Sequence, residues 1–323
     1  MLNQTELISV LMPVYNVEQY IASAIVSMLN QTYNNFELII VDDASTDSTN
    51  RIAICFANND KRIKLFRNKI NLKISKTLNI ALSHAKGKYI ARMDGDDLSD
   101  IFRLEKYYLY LNNNKDIHLV GCNLISIDEK GTVIGKTKFL TDQFLICKTM
   151  KYRSPVSHFW MTYKFVYDEL HGYRDISGVE DYDFLLRMTS YGYKYTNINE
   201  YLYSIRLRKS QNTIFTFGPA QLRLHAYAYK LFKERIKSGI DSFNKNDYNK
   251  ILIIPQILMK LHNKSSLCLL KAISLRSDKK YISMLLYIIF SLISPFQISY
   301  LFSRLKYRAI VKKYYFFKKW NKQ

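Results

Sequence analysis

Carboxylates crowd three short stretches of this 323-residue chain. Asp42 and Asp43 close FELIIVDD (36–43), Asp94, Asp96 and Asp97 fall in ARMDGDD (91–97), and Glu180 and Asp181 open EDYD (180–183). A carboxylate can accept hydrogen bonds, supply an oxygen ligand to Mg2+ or Mn2+, or face the positive end of a helix. Each cluster also has a purely structural reading. Asp42 and Asp43 can shape a strand-end turn in which Ser45 or Thr46 caps the next helix. DGDD can cap a helix starting near Ile101, and EDYD can complement the dipole of the helix that it begins.

Where the elements put these clusters separates the readings. LISVLMP (7–13) reads as a buried strand ending at Pro13, VEQYIASAIVSMLNQ (17–31) as a helix with apolar residues at helical spacing, FELIIVDD as a second strand and STDSTNRIAICFAN (45–58) as a capped helix. RIKLFR (62–67), a helix near 74–85 and the strand GKYIARMD (87–94) follow. This alternation predicts an α/β fold with a doubly wound, mostly parallel sheet. Ligands bind beyond the carboxyl ends of the strands in such sheets. Asp42, Asp43 and Asp94 lie at those ends, so two acidic clusters are expected to converge on one crevice. After residue 100 the pattern loosens into a helix near 101–113 and short strands around 117–135, with mostly helices from about 217.

Other chemistries are disfavoured. No GxGxxG follows the first strand and no GxxxxGK[ST] occurs, against an ordinary dinucleotide site and a P-loop. Cys55, Cys122, Cys147 and Cys268 lie far apart without a CxxC pair, against a zinc site or a disulfide framework and in keeping with a reduced cytosolic location. The N-terminus has no basic stretch leading into a long apolar core, so no secretory signal is expected. The net charge of +21 is unevenly placed: residues 1–200 hold 24 Lys+Arg and 23 Asp+Glu, whereas residues 201–323 hold 24 Lys+Arg against only Glu234, Asp241, Asp247 and Asp278. A near-neutral region is therefore expected beside a basic one that faces an anionic surface. No RNA- or DNA-binding motif accompanies the charge, so nucleic acid is not an expected partner.

In order and spacing, VLMPVYN (10–16), SMLNQTYNNFELIIVDDASTD (27–47), AKGKYIARMDGDD (85–97) and HGYRDISGVEDYDFLLRM (171–188) resemble the inverting glycosyltransferases of family 2 over roughly residues 6–206. The resemblance implies a Rossmann-like GT-A catalytic domain, taken as residues 1–215. It also implies transfer of a hexosyl or N-acetylhexosaminyl group from a nucleotide sugar, a UDP-sugar favoured, to a hydroxyl of a glycan or lipid-linked acceptor in bacterial cell-surface polysaccharide (lipopolysaccharide or capsule) biosynthesis. It sets the donor base near Pro13 and Tyr15 and the nucleoside against Asp42 and Asp43. DGDD matches the family's DxD motif. Carboxylates beside a diphosphate repel it unless a divalent cation, Mn2+ or Mg2+, joins them, which implies Asp96 as the direct metal ligand, Asp94 on ribose or metal, and Asp97 in support. Asp181 corresponds to the catalytic base, Glu180 and His158 to the acceptor side. Gly172 and Arg187 also fall on family positions, the latter structural or phosphate-facing. Two residues depart from the pattern. Lys73 stands where the family's N-x-G often has glycine, and Arg206 where many members have the histidine of Y-R-x-H. Arginine cannot ligate the metal there but can neutralise diphosphate charge. These departures keep open a second reading, a degenerate glycosyltransferase-like protein that binds membrane or partners without activity. A nucleotidyltransferase would need a Gly-rich, lysine-bearing loop that MPVYNVEQY lacks.

Residues 281–303, YISMLLYIIFSLISPFQISYLFS, carry no charged side chain and as one helix would be long enough to span a bilayer. Pro295, Gln297, five serines and dense Lys/Arg flanks argue instead for buried or interfacial helices. Basic residues mixed with Tyr, Phe and Trp320 suit the headgroups of an anionic membrane. Residues 216–323 are thus expected to form a basic helical region, with the protein cytoplasmic and peripheral at the inner face of the cell membrane.

Overall fold

The apolar runs near the N-terminus become central strands. β1 (Ile8–Val14) and β2 (Phe36–Asp42) are buried at every position, as strands covered on both faces must be, and so they read as unbroken apolar runs. β3 (Ile63–Arg67) and β4 (Tyr89–Arg92) join them in the parallel order β3-β2-β1-β4. α1 (Ile21–Leu29), α2 (Thr49–Asn59) and α3 (Lys73–Ser83) connect them. The computed structural model describes residues 6–208 and 218–320. It divides into two units, residues 1–146 with 155–207 and residues 147–154 with 208–323. The boundary expected near 215 lies outside the described residues.

Both early helices are shorter than their apolar spacing predicts. The helix expected from 45 begins only at Thr49, because Asp42 Oδ1 accepts the Ser45 N–H at 3.0 Å and folds the intervening residues into a turn. Neither Ser45 nor Thr46 caps it. Asp47 accepts from the Thr49 N–H at 2.9 Å instead.

Five further strands complete a nine-stranded sheet: β5 (Leu98–Ser99), β6 (Leu119–Ile127), β7 (Val133–Thr137), β8 (Met161–Tyr163) and β9 (Tyr195–Arg206). Its order is β3-β2-β1-β4-β8-β6-β9-β5, and β7, off this path, pairs antiparallel with β6. β6 and β9 pair in parallel, whereas β8 runs antiparallel to both β4 and β6 and β5 antiparallel to β9. The sheet is therefore a mixed one with a parallel core. α4 (Arg103–Asn113), α5 (Gln143–Thr149), α6 (Lys164–Glu169) and α7 (Glu180–Ser190) lie between these strands in the chain.

The crevice opens where β1 and β4 part. β4 ends at Arg92 opposite Leu11, while β1 continues beside β2 as far as Val14. Leu11 still accepts from the Met93 N–H at 3.0 Å. Two residues on, Pro13 turns the same edge toward the gap, where its missing N–H breaks no ladder. Gly95 fits the same narrow place: a Cβ there would lie 2.5 Å from Val14 Cγ1.

The second unit contains α8 (Pro219–Ser238), α9 (Lys245–Leu252), α10 (Gln256–Ser277), α11 (Tyr281–Phe290), a 3-10 turn (Ser291–Ile293) and α12 (Pro295–Trp320). A buried Arg235–Asp241 ion pair ties α8 to the loop after it, and Asn244 caps α9 by accepting from the Asp247 N–H at 2.8 Å. Among the described residues no single helix is long and apolar enough to cross a membrane. Tyr281–Ile293 and Pro295–Lys318 are apolar enough only together, and they are bent by 118°.

Candidate active site

β8 delivers the residue that joins the acidic clusters. Because it runs antiparallel to β4, its start lies beside the end of β4, with the Arg92 N–H donating to the Trp160 carbonyl at 3.1 Å. His158, just upstream, thus reaches the loop that follows β4. Its Nε2 stands 3.3 Å from Asp94 Oδ2 and its Nδ1 3.5 Å from Asp181 Oδ2. Asp181 sits in the first turn of α7 beside Glu180, whose Oε2 accepts the Gly178 N–H at 2.8 Å. Arg92, buried in β4, completes the ring: Nε is 3.3 Å from Asp94 Oδ1 and Nη1 3.5 Å from Glu180 Oε1.

The ring sets its own protonation. Burial and Arg92 both favour neutral imidazole at His158, yet the hydrogen bonds to Asp181 and Asp94 outweigh them and raise it to about 9. Burial works against the charge of Asp94 as well, but Arg92 and then His158 hold its carboxyl well below the usual range. Asp181 is also lowered: burial is overcome by His158 first and Arg92 after it. Glu180 goes the other way, pushed up by burial and by the charge of Asp181 against the pull of Arg92. At neutral pH Asp181 is therefore ionised, with its side chain 22% exposed.

The DGDD loop is braced from below. Tyr203 of β9 receives the Asp94 N–H at 3.1 Å and donates to Asp97 Oδ2 at 3.0 Å. Arg206 donates its main-chain N–H to Asp97 Oδ1 at 2.7 Å, its Nε to the Asp96 carbonyl at 2.8 Å, and its Nη1 to the carbonyls of Asp128 and Glu129 at 3.0 and 3.1 Å. This corrects the expectation of a guanidinium turned to the diphosphate. Arg206 is buried and committed to main-chain oxygens, so it holds the loop. Asp97 is enclosed too. Burial, then Asp96 and Asp94, push its carboxyl well above the usual range. Among the described residues no group of three His, Cys, Asp or Glu side chains is able to hold a metal by itself. Asp94 and Asp96 alone suit Mg2+ or Mn2+, which completes its shell with phosphate oxygens and water, and do not suit zinc.

A second part of the crevice is an open pocket of about 200 Å3 lined by Pro13, Val14, Tyr15, Asp43, Asn71, Lys73, Ile74 and Thr77. Asp43 accepts the N–H groups of Leu72 and Lys73 at 2.8 and 3.0 Å and Asn68 Nδ2 at 2.8 Å. Its neighbour Asp42 does not line the pocket. Fully buried, it takes the Ser45 N–H and pairs with Arg67 Nε at 3.1 Å, so its expected contact with a nucleoside is replaced by a role in the turn. Adjacent strand residues face opposite ways, which separates the two aspartates. Lys73 holds φ +69°, a conformation natural to the glycine it replaces.

Two motif residues prove architectural. Arg187 spends its guanidinium on Asp183 Oδ2 at 2.8 Å and the carbonyls of Leu170 and Gly172 at 2.5 and 2.8 Å. Gly172 has φ +67°, and a Cβ there would press to 2.6 Å from Asn79 Oδ1. Sequence reasoning missed Arg92 and Arg103. The latter is fully buried and donates Nε to Ser99 Oγ at 2.7 Å and Nη1 to the Arg92 carbonyl at 3.0 Å. An arginine two residues before the first aspartate of DGDD was the available signal for Arg92. Nothing local marked Arg103.

A GT-A-like mixed sheet with acidic residues gathered at its strand ends defines a glycosyltransferase class of protein. The family model "Glycosyl transferase family 2" matches residues 9–171. Putative glycosyltransferase EpsE of Bacillus subtilis is 39% identical over 211 residues, covering 64% of this chain and 74% of EpsE. WfgD of Escherichia coli, a UDP-Glc:alpha-D-GlcNAc-diphosphoundecaprenol beta-1,3-glucosyltransferase, is 40% identical over 131 residues, 40% of this chain and 50% of WfgD. Staphylococcus aureus TarS 1-349, solved in complex with UDP-GlcNAc, shares the fold with a TM-score of 0.59 at 18% identity, over 95% of this chain and 91% of that one. The chain belongs to glycosyltransferase family 2, and it is a glycosyltransferase of GT-A fold.

Proposed function

We propose that this glycosyltransferase inverts the anomeric centre. It moves a hexosyl or N-acetylhexosaminyl group from a nucleoside-diphosphate donor, UDP before GDP or dTDP, to a hydroxyl of a lipid-linked glycan. It does so at the anionic inner face of the membrane, in cell-surface polysaccharide assembly. The observation that carries the reading is the ionised Asp181, tied through His158 to Asp94 of the DGDD loop. It gives one crevice a proton acceptor and a diphosphate-side carboxylate in contact with a common side chain. The donor and lipid-diphosphate acceptor of WfgD support the choice of UDP and of a lipid-linked acceptor.

The acceptor hydroxyl attacks the anomeric carbon from the side opposite the leaving group. The new C–O bond forms as the bond to the diphosphate breaks, and that electron pair leaves on the diphosphate oxygen. Asp181 takes the hydroxyl proton, help typically worth ~10²–10⁴-fold. Glu180 and His158 line the acceptor side. Pro13, Tyr15 and Asp43 hold the base and ribose, where Asp43 keeps about one lone-pair site beyond its three contacts. Arg206, Tyr203 and Asp97 fix the loop that bears Asp94 and Asp96. A divalent cation, Mn2+ or Mg2+, bound by Asp96 with Asp94 would neutralise the diphosphate charge and act as a Lewis acid. Asp181→Asn is the direct test. Turnover is expected to fall at least ~10²-fold with unchanged donor affinity and fold, and wild-type turnover would sink the assignment.

A further inference from the structure

Soluble proteins bury apolar side chains and expose polar ones. The segment 281–303 reverses this order. No residue of α11 is buried. Ile282, Leu285, Leu286, Ile289, Phe290 and Ile293 are exposed, Ile282 at 83% and Phe290 at 57%, and they recur at the spacing of one helix face. Ile298, Phe302 and Leu305 extend the exposed apolar set along α12 with the same period. The residues of 281–303 that are buried are Ser291, Ser294 and Gln297, all polar. They meet buried polar residues of α10: His262 Nδ1 and Ser294 Oγ are 3.1 Å apart, and Ser265 donates to the Ser291 carbonyl. In water such a hairpin exposes an apolar face and gains nothing from its polar seam. In lipid the same arrangement is favoured, because polar side chains turn toward neighbouring helices and apolar ones face acyl chains.

We infer that α11 and the first turns of α12 lie in the plane of an anionic bilayer, with the apolar stripe sunk into one leaflet. The inference deepens the membrane reading above by naming the segment and its depth. Spanning is not required: the ten residues of α11 run roughly 15 Å, about half of a hydrocarbon core. Charge fits the same surface. Lys279 and Lys280 precede the stripe, Arg304, Lys306 and Arg308 follow it, all exposed, and no acidic residue occurs after Asp278.

Flotation of the full-length protein tests this, using phosphatidylcholine vesicles with and without about one-third phosphatidylglycerol. Wild type is expected to float with the anionic vesicles at about 0.1 M NaCl and to stay partly bound at about 1 M, where surface charge is screened but apolar burial is not. Leu286→Glu with Phe290→Glu, both at exposed positions, is expected to lower retention at high salt at least ~10-fold while binding at low salt persists in part. Complete release of wild type by salt, or a double variant that floats like wild type, overturns the inference. So does a wild-type dimer seen by light scattering that the double variant dissolves and that vesicles do not displace, since the stripe would then join two copies. Nucleoside diphosphate release from donor, measured on the same samples, keeps the readings apart. A variant that fails to float yet still releases it leaves the transferase reading intact. Absence of release from wild type defeats that reading whatever the flotation result.

Discussion

His158 bridges Asp94 and Asp181, so its contribution should be chiefly catalytic geometry. Replacing it with Gln removes two charge-assisted bonds, each worth about 1.5–3 kcal/mol, and kcat is expected to fall by roughly 10–100-fold. Donor KM should stay within about threefold in steady-state assays, because the pocket at Tyr15 and Asp43 lies elsewhere in the crevice. Lys73 makes a different prediction. Its left-handed backbone costs a side-chain-bearing residue about 1–2 kcal/mol, so Lys73→Gly should hold or raise the melting temperature. If its side chain serves the donor, KM for the nucleotide sugar rises several-fold in the same variant. A variant less stable and unchanged in KM would overturn both the strain reading and the donor contact.

At the scale of elements, the loops after β1 and β2 clasp each other. Asp47 accepts the N–H groups of Thr49 and Glu18 at 2.9 and 3.1 Å, Glu18 accepts the Ser48 N–H at 2.8 Å, and Asn16 accepts the Thr46 N–H at 2.9 Å. Burial opposes the charge of Asp47, but the bonds from Thr49 and Glu18 hold its carboxyl below the usual value. A lowered carboxyl stabilises the fold above its unfolded pKa, near 4, and loses that contribution as pH falls through the folded value. Asp47→Asn should therefore cost about 1 kcal/mol at neutral pH, with the gap from wild type closing below about pH 4 in denaturant titrations. Gly172→Ala is expected to be harsher, since it meets both a left-handed φ and the Asn79 side chain. The parallel strands and the acidic strand ends were legible in the sequence because strands buried on both faces are continuous apolar runs and end at polar residues. The ring around His158 was not, since it depends on β8 pairing backwards against β4, a short strand with no periodic signature. Asp42 and Asp43 were indistinguishable for a similar reason. Which of two adjacent residues faces a pocket is set by the strand's orientation in the sheet.

Over the whole molecule, charge is kept apart from chemistry. The carboxylate ring belongs to residues 1–200, which are near neutral in sum, and the cationic excess to residues 201–323. Transfer to a vesicle-borne acceptor should accordingly fall several-fold between about 0.1 and 0.5 M salt, whereas donor hydrolysis in solution should change little. Equal loss of both would place the basic helices in the chemistry itself. Residues 147–154 group with 208–323, and the Arg153 guanidinium lies 5.7 Å from the centre of the Tyr307 ring. The polypeptide therefore visits its helical unit, leaves it to build β8, α7 and β9, and comes back. A protease that cuts once after Arg208 breaks the chain without freeing a fragment: the two pieces should elute together from a sizing column and separate only in denaturant.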